Sequence, residues 1–228
     1  CCAGKDRMAS NVYFNLAKAL ELALNNGVDR LTGEPLGPQT GDPRAFAGFD
    51  QVVAAFEAQV EHFVALKVRY DNTVRDIYAR YCPVPFTSAV IDDCIAAAVD
   101  WHAGGSHYKI ATMSGVAVGT VADALSGIRT HVFDRRSIGM PELIDALDRN
   151  WEGQEALRLT LVNKTPHYGN DNDSADALAV RVQDIFCSAV ERHCDTQGAK
   201  YWVDLLPTTS HIALGEATGA TPDGRRAR

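Results

Sequence analysis

The sequence predicts a helix-rich α/β fold in one domain. Stretches with apolar residues at the three-and-four spacing of a helix cover most of the chain. Between them lie two short runs without that spacing, residues 108–113 (YKIATM) and the run around Val203, which read as strands. Strands that alternate with helices are the pattern of a sheet with helices laid on it. No internal repeat and no low-complexity linker divides the 228 residues.

Each element has its own warrant. Ser10 and Asn11 can cap a first helix, along which Leu16, Leu20 and Leu24 recur every four residues. Gly27 suits the position after its end, where a left-handed cap strains residues that carry a Cβ. Residues 31–44 (LTGEPLGPQTGDPR) hold too little apolar content for an element. Asp50 opens a long second helix with Val53, Phe56, Val60, Phe63 and Val64 on one face. It is predicted to reach about Arg80, before Pro83 and Pro85 stop it. Thr87 or Ser88 caps a third helix, with Val90, Ile91, Cys94, Ile95 and Ala98 expected inward and Gly104-Gly105 closing it. The strand at 108–113 leads through Gly115 and Gly119 into a helix over 120–131. Pro141 fits the first position of the next helix, where a missing N–H leaves nothing unpaired. A short helix covers 154–163 and a polar loop follows at 166–173. The clearest helix comes last, with Leu178, Val182, Ile185, Phe186 and Ala189 on one face.

The stretch from Tyr201 to Arg226 stands apart. Val203, Leu205 and Leu206 read as a buried strand that Pro207 ends, because proline has no N–H for a ladder. Thr208, Thr209 and Ser210 then set three hydroxyls at the strand's end, ahead of His211 and a renewed apolar run from Ile212 to Leu214. Gly215, Gly219 and Pro222-Asp223-Gly224 make a turn-rich exit. Hydroxyls at a strand end beside an apolar wall are one way to line a pocket. The plainer alternative is a core strand with a polar turn.

Composition narrows the function. A net charge of −7 leaves no basic face for nucleic acid, and the cluster of Arg225, Arg226 and Arg228 is too short to supply one. No apolar run approaches the ~18 residues of a membrane span. Cys1-Cys2-Ala3-Gly4-Lys5 is not the apolar core of a signal peptide. Six scattered cysteines in a chain of this size fit a reducing, cytoplasmic setting rather than a disulfide framework. The chain starts without methionine and stops just after a turn, so it is expected to be a piece of a longer protein, truncated at both ends.

Three constellations suggest chemistry that their details do not support. The run from Gly115 through Gly119 to Thr120 lacks the Gly-Lys-Ser/Thr ending of a phosphate loop and the third glycine of a dinucleotide fingerprint. Counted from Asp171, the sixth and twelfth positions are Asp176 and Val182, where a calcium loop needs Gly and Glu. Asp173 and Asp176 read instead as cap and first turn of a helix. Cys187, His193 and Cys194 lack a second pair at zinc spacing, and Cys82 and Cys94 read as small core residues. No metal site is predicted. Cys1 and Cys2, adjacent in a glycine-containing segment, could hold a reactive thiol.

Consecutive blocks of the chain resemble the glycyl radical enzymes of the pyruvate formate-lyase type. They are YFNLAKALELALNNG, TGEPLGPQTGDP, FDQVVAAFEAQVEHF, PVPFTSAVIDDC, the run from Gly104 to Asp134, NKTPHYGNDNDSAD, and LLPTTSH with GATPDGR. NNG with the TG and TGDPR that follow it, MPELIDALDRNWEG, NKTPHYGNDND and LLPTTSH are most similar to the trans-4-hydroxyproline dehydratase group. The resemblance implies a ten-stranded α/β barrel, of whose second half this chain supplies part. It also implies catalysis by a stored glycyl radical, installed by a separate radical-SAM activating enzyme. That radical oxidises a cysteine to a thiyl, which takes a hydrogen atom from a small polar substrate, and a glutamate two residues on acts as base. By register with Gly4-Lys5 and Tyr13-Phe14-Asn15-Leu16, that cysteine and glutamate belong before residue 1 and the radical glycine beyond Arg228. No catalytic residue is then expected in the chain, with Cys1 and Cys2 the alternative, and no cofactor is bound by it. Tyr13 and Thr208 match residues of the substrate pocket, with Thr209 as neighbour. The implied reaction is elimination of water or another group. The alternatives are C–C cleavage of the pyruvate formate-lyase kind and a catalytically silent helical module. A homodimer is implied for the complete protein. Lys109 stands where the related block often has asparagine, and bears on substrate choice.

Overall fold

The computed structural model describes residues 6–205 and 209–228, with side chains from residue 12 onward. Cys1, Cys2 and Thr208 therefore lie outside the described residues. The chain forms two compact units. One takes Phe63–Ser114 and Cys187–Leu205 together with the chain up to Phe14; the other takes Asn15–His62, Gly115–Phe186 and the chain from there to Arg228.

The first unit holds a three-stranded sheet, ordered β1 (Asp6–Asn15), β2 (Tyr108–Val116), β3 (Tyr201–Asp204). β2 and β3 run parallel, with Ala111 opposite Tyr201, Thr112 opposite Trp202, Met113 opposite Val203 and Ser114 opposite Asp204. Alternation puts Ala111, Met113 and Tyr201 on one face, and all three are buried. Helix α2 (Phe49–Tyr81) spans both units and supplies this one with its second half. There Asp71 accepts a bond from the Tyr201 hydroxyl at 3.5 Å, and Arg75 pairs with the buried Asp195. Burial pushes the Tyr201 phenol well above its ordinary range.

The third predicted helix is corrected. Two short helices stand in its place, α3 (Pro85–Ser88) and α4 (Asp92–Ala97). Ile91 and Cys94 are buried as expected, whereas Val90, Ile95 and Ala98 are exposed. The Asp100 carboxylate explains the break: it accepts bonds from the Val84 N–H and the Ser88 hydroxyl, which holds the chain in a loop where one continuous helix would straighten it. Cys82 is exposed, against the core position expected of it.

In the second unit, α1 (Leu16–Ala23) is apolar on nearly every side and packs against α5 (Val118–Gly127). A helix of that composition belongs inside. Its start also differs from the expectation. Residues 6–15 are extended, so Ser10 and Asn11 lie in β1, and Asn15 is the cap, accepting the Lys18 N–H at 3.1 Å. Gly27 has the left-handed backbone foreseen for it, and a Cβ there would sit 2.5 Å from the Gly37 carbonyl oxygen. After α5 the chain widens into one π-helical stretch, Ile128–Asp134. Then come α6 (Met140–Asp148), α7 (Glu155–Lys164) and α8 (Asp173–Glu191), whose residues from Cys187 onward belong to the first unit. α8 buries Leu178, Val182, Ile185, Phe186 and Ala189 as predicted. Its cap is Asn172, whose side chain accepts the Ala175 N–H, so Asp173 belongs to the first turn. The last element is α9 (His211–Glu216).

Candidate functional site

In the second unit the chain turns sharply after β2. Ala117 takes a left-handed backbone (φ 76°), which residues with a Cβ rarely adopt, and α5 starts at once. That turn, the junction of β1 with α1 at Asn15, and α9 with Thr218 and Arg225 enclose a cavity of about 230 Å³. Its size suits a small polar molecule rather than a drug-sized one.

Two of the polar side chains around it, Asn15 and Arg225, are already engaged with backbone. The Asn15 carboxamide donates to the Leu214 carbonyl at 2.9 Å and to the Thr218 hydroxyl at 3.0 Å. The Arg225 guanidinium donates to the carbonyls of Gly219 (2.8 Å), Thr218 (3.2 Å) and Gly215. Behind the cavity the buried Glu21 accepts the Gly219 N–H at 2.7 Å and the Arg30 N–H at 2.9 Å. Asp223 accepts the Thr221 hydroxyl at 2.5 Å; burial drives its carboxyl above the ordinary range, against the hydrogen bonds from Thr221 and the Arg225 N–H. The exit expected to be a turn is thus a packed loop, with Thr218, Gly219, Ala220, Thr221 and Pro222 all buried.

The predicted residues fall as follows. Tyr13 lies on β1 and is 37% exposed, within the first unit. Thr209 lies in the turn before α9 and is exposed, within the second. The strand expected at Val203 to Leu206 is Tyr201–Asp204 instead, and Leu205 is exposed beyond its end. The apolar run from Ile212 to Leu214 lies in α9, with Ile212 itself exposed. Lys109 is half-buried in an open groove of the first unit, beside Tyr108 and Trp202. Cys187 and His193 are half-buried and Cys194 is exposed; among the described residues no three His, Cys, Asp or Glu side chains come together as metal ligands do.

Sequence reasoning missed Asn15, Glu21 and Arg225. Asn15 stands just ahead of the apolar spacing that begins at Leu16, which is a capping signal. Glu21 is the one acid in a helix that is apolar but for Lys18, a sign of a buried acceptor. Arg225 follows a Pro-Asp-Gly turn and carries no such signal.

A cavity where strands hand over to helices, walled by hydroxyl, amide and guanidinium groups, stands where α/β folds commonly bind their ligands. Residues 1–215 match the pyruvate formate lyase-like family, and the chain belongs to it. It is 39% identical over 224 residues to trans-4-hydroxy-L-proline dehydratase of Clostridioides difficile, a match that covers 98% of this chain and 28% of that protein. It is 32% identical to (2S)-3-sulfopropanediol dehydratase of Klebsiella oxytoca, over 94% of this chain and 26% of that one. The crystal structure of hydroxyproline dehydratase from Clostridioides difficile, solved with trans-4-hydroxy-L-proline bound, superposes with a TM-score of 0.95 at 38% identity, over 100% of this chain and 29% of that one. The chain thus spans little more than a quarter of these relatives, and its helix-rich α/β fold is that of a part of a glycyl radical enzyme.

Proposed function

We propose that the chain is part of a glycyl radical enzyme that eliminates water from a small polar substrate, with hydroxyproline-type dehydration as the favoured reaction. The observation that carries this reading is the 39% identity to a hydroxyproline dehydratase over nearly the whole chain. The chain supplies pocket wall. Tyr13 and Thr209, with Thr208, offer a phenol and hydroxyls that can bind the carboxylate or hydroxyl of such a substrate. The thiyl cysteine, its glutamate and the radical glycine come from outside these residues, and a radical-SAM activating enzyme installs the radical. The working protein is a cytoplasmic homodimer.

The test uses the complete enzyme, activated without oxygen. The glycyl radical is quantified by electron paramagnetic resonance, and the enzyme is then offered trans-4-hydroxy-L-proline, (2S)-3-sulfopropanediol, and pyruvate with coenzyme A. Loss of water from one of the first two supports the reading. A full radical signal with formate released from pyruvate, or with no turnover at all, sinks it.

A further inference from the structure

α9 has a weak claim to its own position. It is six residues long, and none of them is buried. A helix so short does not hold itself, because its few hydrogen bonds do not repay nucleation. Side chains bonded to the carbonyls at its C-terminal end contribute to holding it.

Asn15 supplies one side of that grip and Arg225 the other. The Leu214 carbonyl accepts both the Asn15 carboxamide at 2.9 Å and the Thr218 hydroxyl at 2.7 Å, and the same carboxamide reaches that hydroxyl at 3.0 Å. The Arg225 guanidinium takes the carbonyls of Gly215, Thr218 and Gly219. A cation at the end where helix carbonyls point outward is also favoured by the helix dipole. Both tethers are rooted in packed structure. Asn15 caps the buried α1 through its other side-chain atom. The Arg225 carbonyl is held by the indole N–H of the fully buried Trp151 at 3.0 Å and by the Thr221 N–H at 3.1 Å. From α9 the bonds continue backwards: Leu214 N–H to the Ser210 carbonyl at 3.1 Å, and Ile212 N–H to the Thr209 carbonyl at 3.2 Å.

We propose that Asn15 and Arg225 are positioning residues: they hold α9 by its C-terminal carbonyls and so set where Thr209 stands for the substrate. This rests on the preceding reading, in which Thr209 belongs to the pocket wall.

Asn15→Asp separates the two jobs of that side chain, since aspartate still caps α1 but cannot donate to Leu214 or Thr218. Arg225→Lys keeps the charge and loses the fork that spans three carbonyls. In the complete, activated enzyme each variant is expected to speed hydrogen exchange at the Ile212 and Leu214 amides about tenfold or more, with the amides of α1 unchanged. The substrate KM should rise about tenfold while radical content and kcat stay near wild type. Combined with Thr209→Val, Asn15→Asp should raise KM no further than Thr209→Val alone, because both act through one residue. Unchanged exchange at α9 in both variants overturns the proposal, as does exchange that rises equally through α1, or KM effects that add. If the wild-type enzyme eliminates water from nothing offered, the pocket reading falls, while the exchange result still decides whether these two side chains hold α9.

Discussion

Glu21→Gln is a near-isosteric change whose cost can be worked from the contacts. Glu21 is 1% exposed. Its Oε1 accepts the Arg30 N–H at 2.9 Å, and its Oε2 accepts the Gly219 N–H at 2.7 Å. Both oxygens also face the Lys18 ammonium, at 3.0 and 3.1 Å. Lys18 keeps a second carboxylate, Asp29, at 2.5 Å, so the lysine stays paired when Glu21 goes. A glutamine cannot satisfy the two backbone donors. Whichever way its amide turns, the NH₂ group meets either the Arg30 or the Gly219 N–H, and that donor is left without an acceptor. A buried unsatisfied donor costs about 1–3 kcal/mol. Replacing a charged acceptor by a neutral one at the other donor adds about 1 kcal/mol. The sum, roughly 2–4 kcal/mol, corresponds to about 30- to 1000-fold faster local exchange. Hydrogen exchange read by mass spectrometry at peptides covering Arg30 and Gly219 should show this, concentrated at whichever amide the glutamine turns against. Exchange within twofold of wild type at both sites would refute the claim that this carboxylate anchors the 218–225 loop.

Three other outcomes follow from the same unit. Gly224→Ala forces a Cβ to 2.4 Å from a Val162 methyl at a backbone φ of 90°, so overpacking and strain together should destabilise it by about 2–6 kcal/mol, visible as a lower melting temperature. Trp151→Phe removes the indole bond to the Arg225 carbonyl and should cost about 1–3 kcal/mol; it should also remove the most blue-shifted tryptophan emission, since Trp151 is fully buried while Trp202 is 55% exposed. Asp223 has its carboxyl pKa raised above 3.8, by burial first and then by the charge of Asp123. Its ionised form therefore costs stability above the raised value, and the cost fades as pH falls through that value towards 3.8. Asp223→Asn should raise the urea midpoint at neutral pH, with the gain shrinking across that window; a gain that stays constant down to pH 3.8 contradicts the assignment.

The long helices were legible because their periodicity is sustained and their ends are chemically marked. α2 runs to Tyr81, one residue beyond the predicted Arg80, because Pro83 and Pro85 follow. α8 holds its predicted face for the same reason of length. The short elements were not legible. Ser10, Asn11 and Asn15 are all capping types, and only the bond from the Lys18 N–H decides among them. The third helix was broken by Asp100, which lies inside its predicted run, ahead of the closing Gly104-Gly105, and takes the Val84 N–H and the Ser88 hydroxyl. Of the residues proposed for the pocket, Tyr13 was named by resemblance alone, whereas Thr209 was also one of three hydroxyls expected at a strand's end. Tyr13 has no local pattern that sets it apart from an ordinary strand tyrosine, and the hydroxyl run at Thr209 also fits a plain polar turn.

The loop from Thr218 to Arg225 shows why local sequence fails where distant partners take over. Glycine, proline and aspartate in succession ordinarily mean an exposed turn, because water satisfies the backbone groups that such residues leave open. Here protein does it. Glu21 takes the Gly219 N–H, Arg158 donates to the Gly224 carbonyl at 3.2 Å, and Trp151 donates to the Arg225 carbonyl. Those partners lie between 66 and 198 residues away in the chain. Composition within the loop cannot reveal them, and a buried backbone needs every one. The same dependence gives the loop its use. A segment held at Gly219, Gly224 and Arg225 by partners in packed structure is firm, and a firm segment lets Arg225 hold a helix none of whose residues is buried.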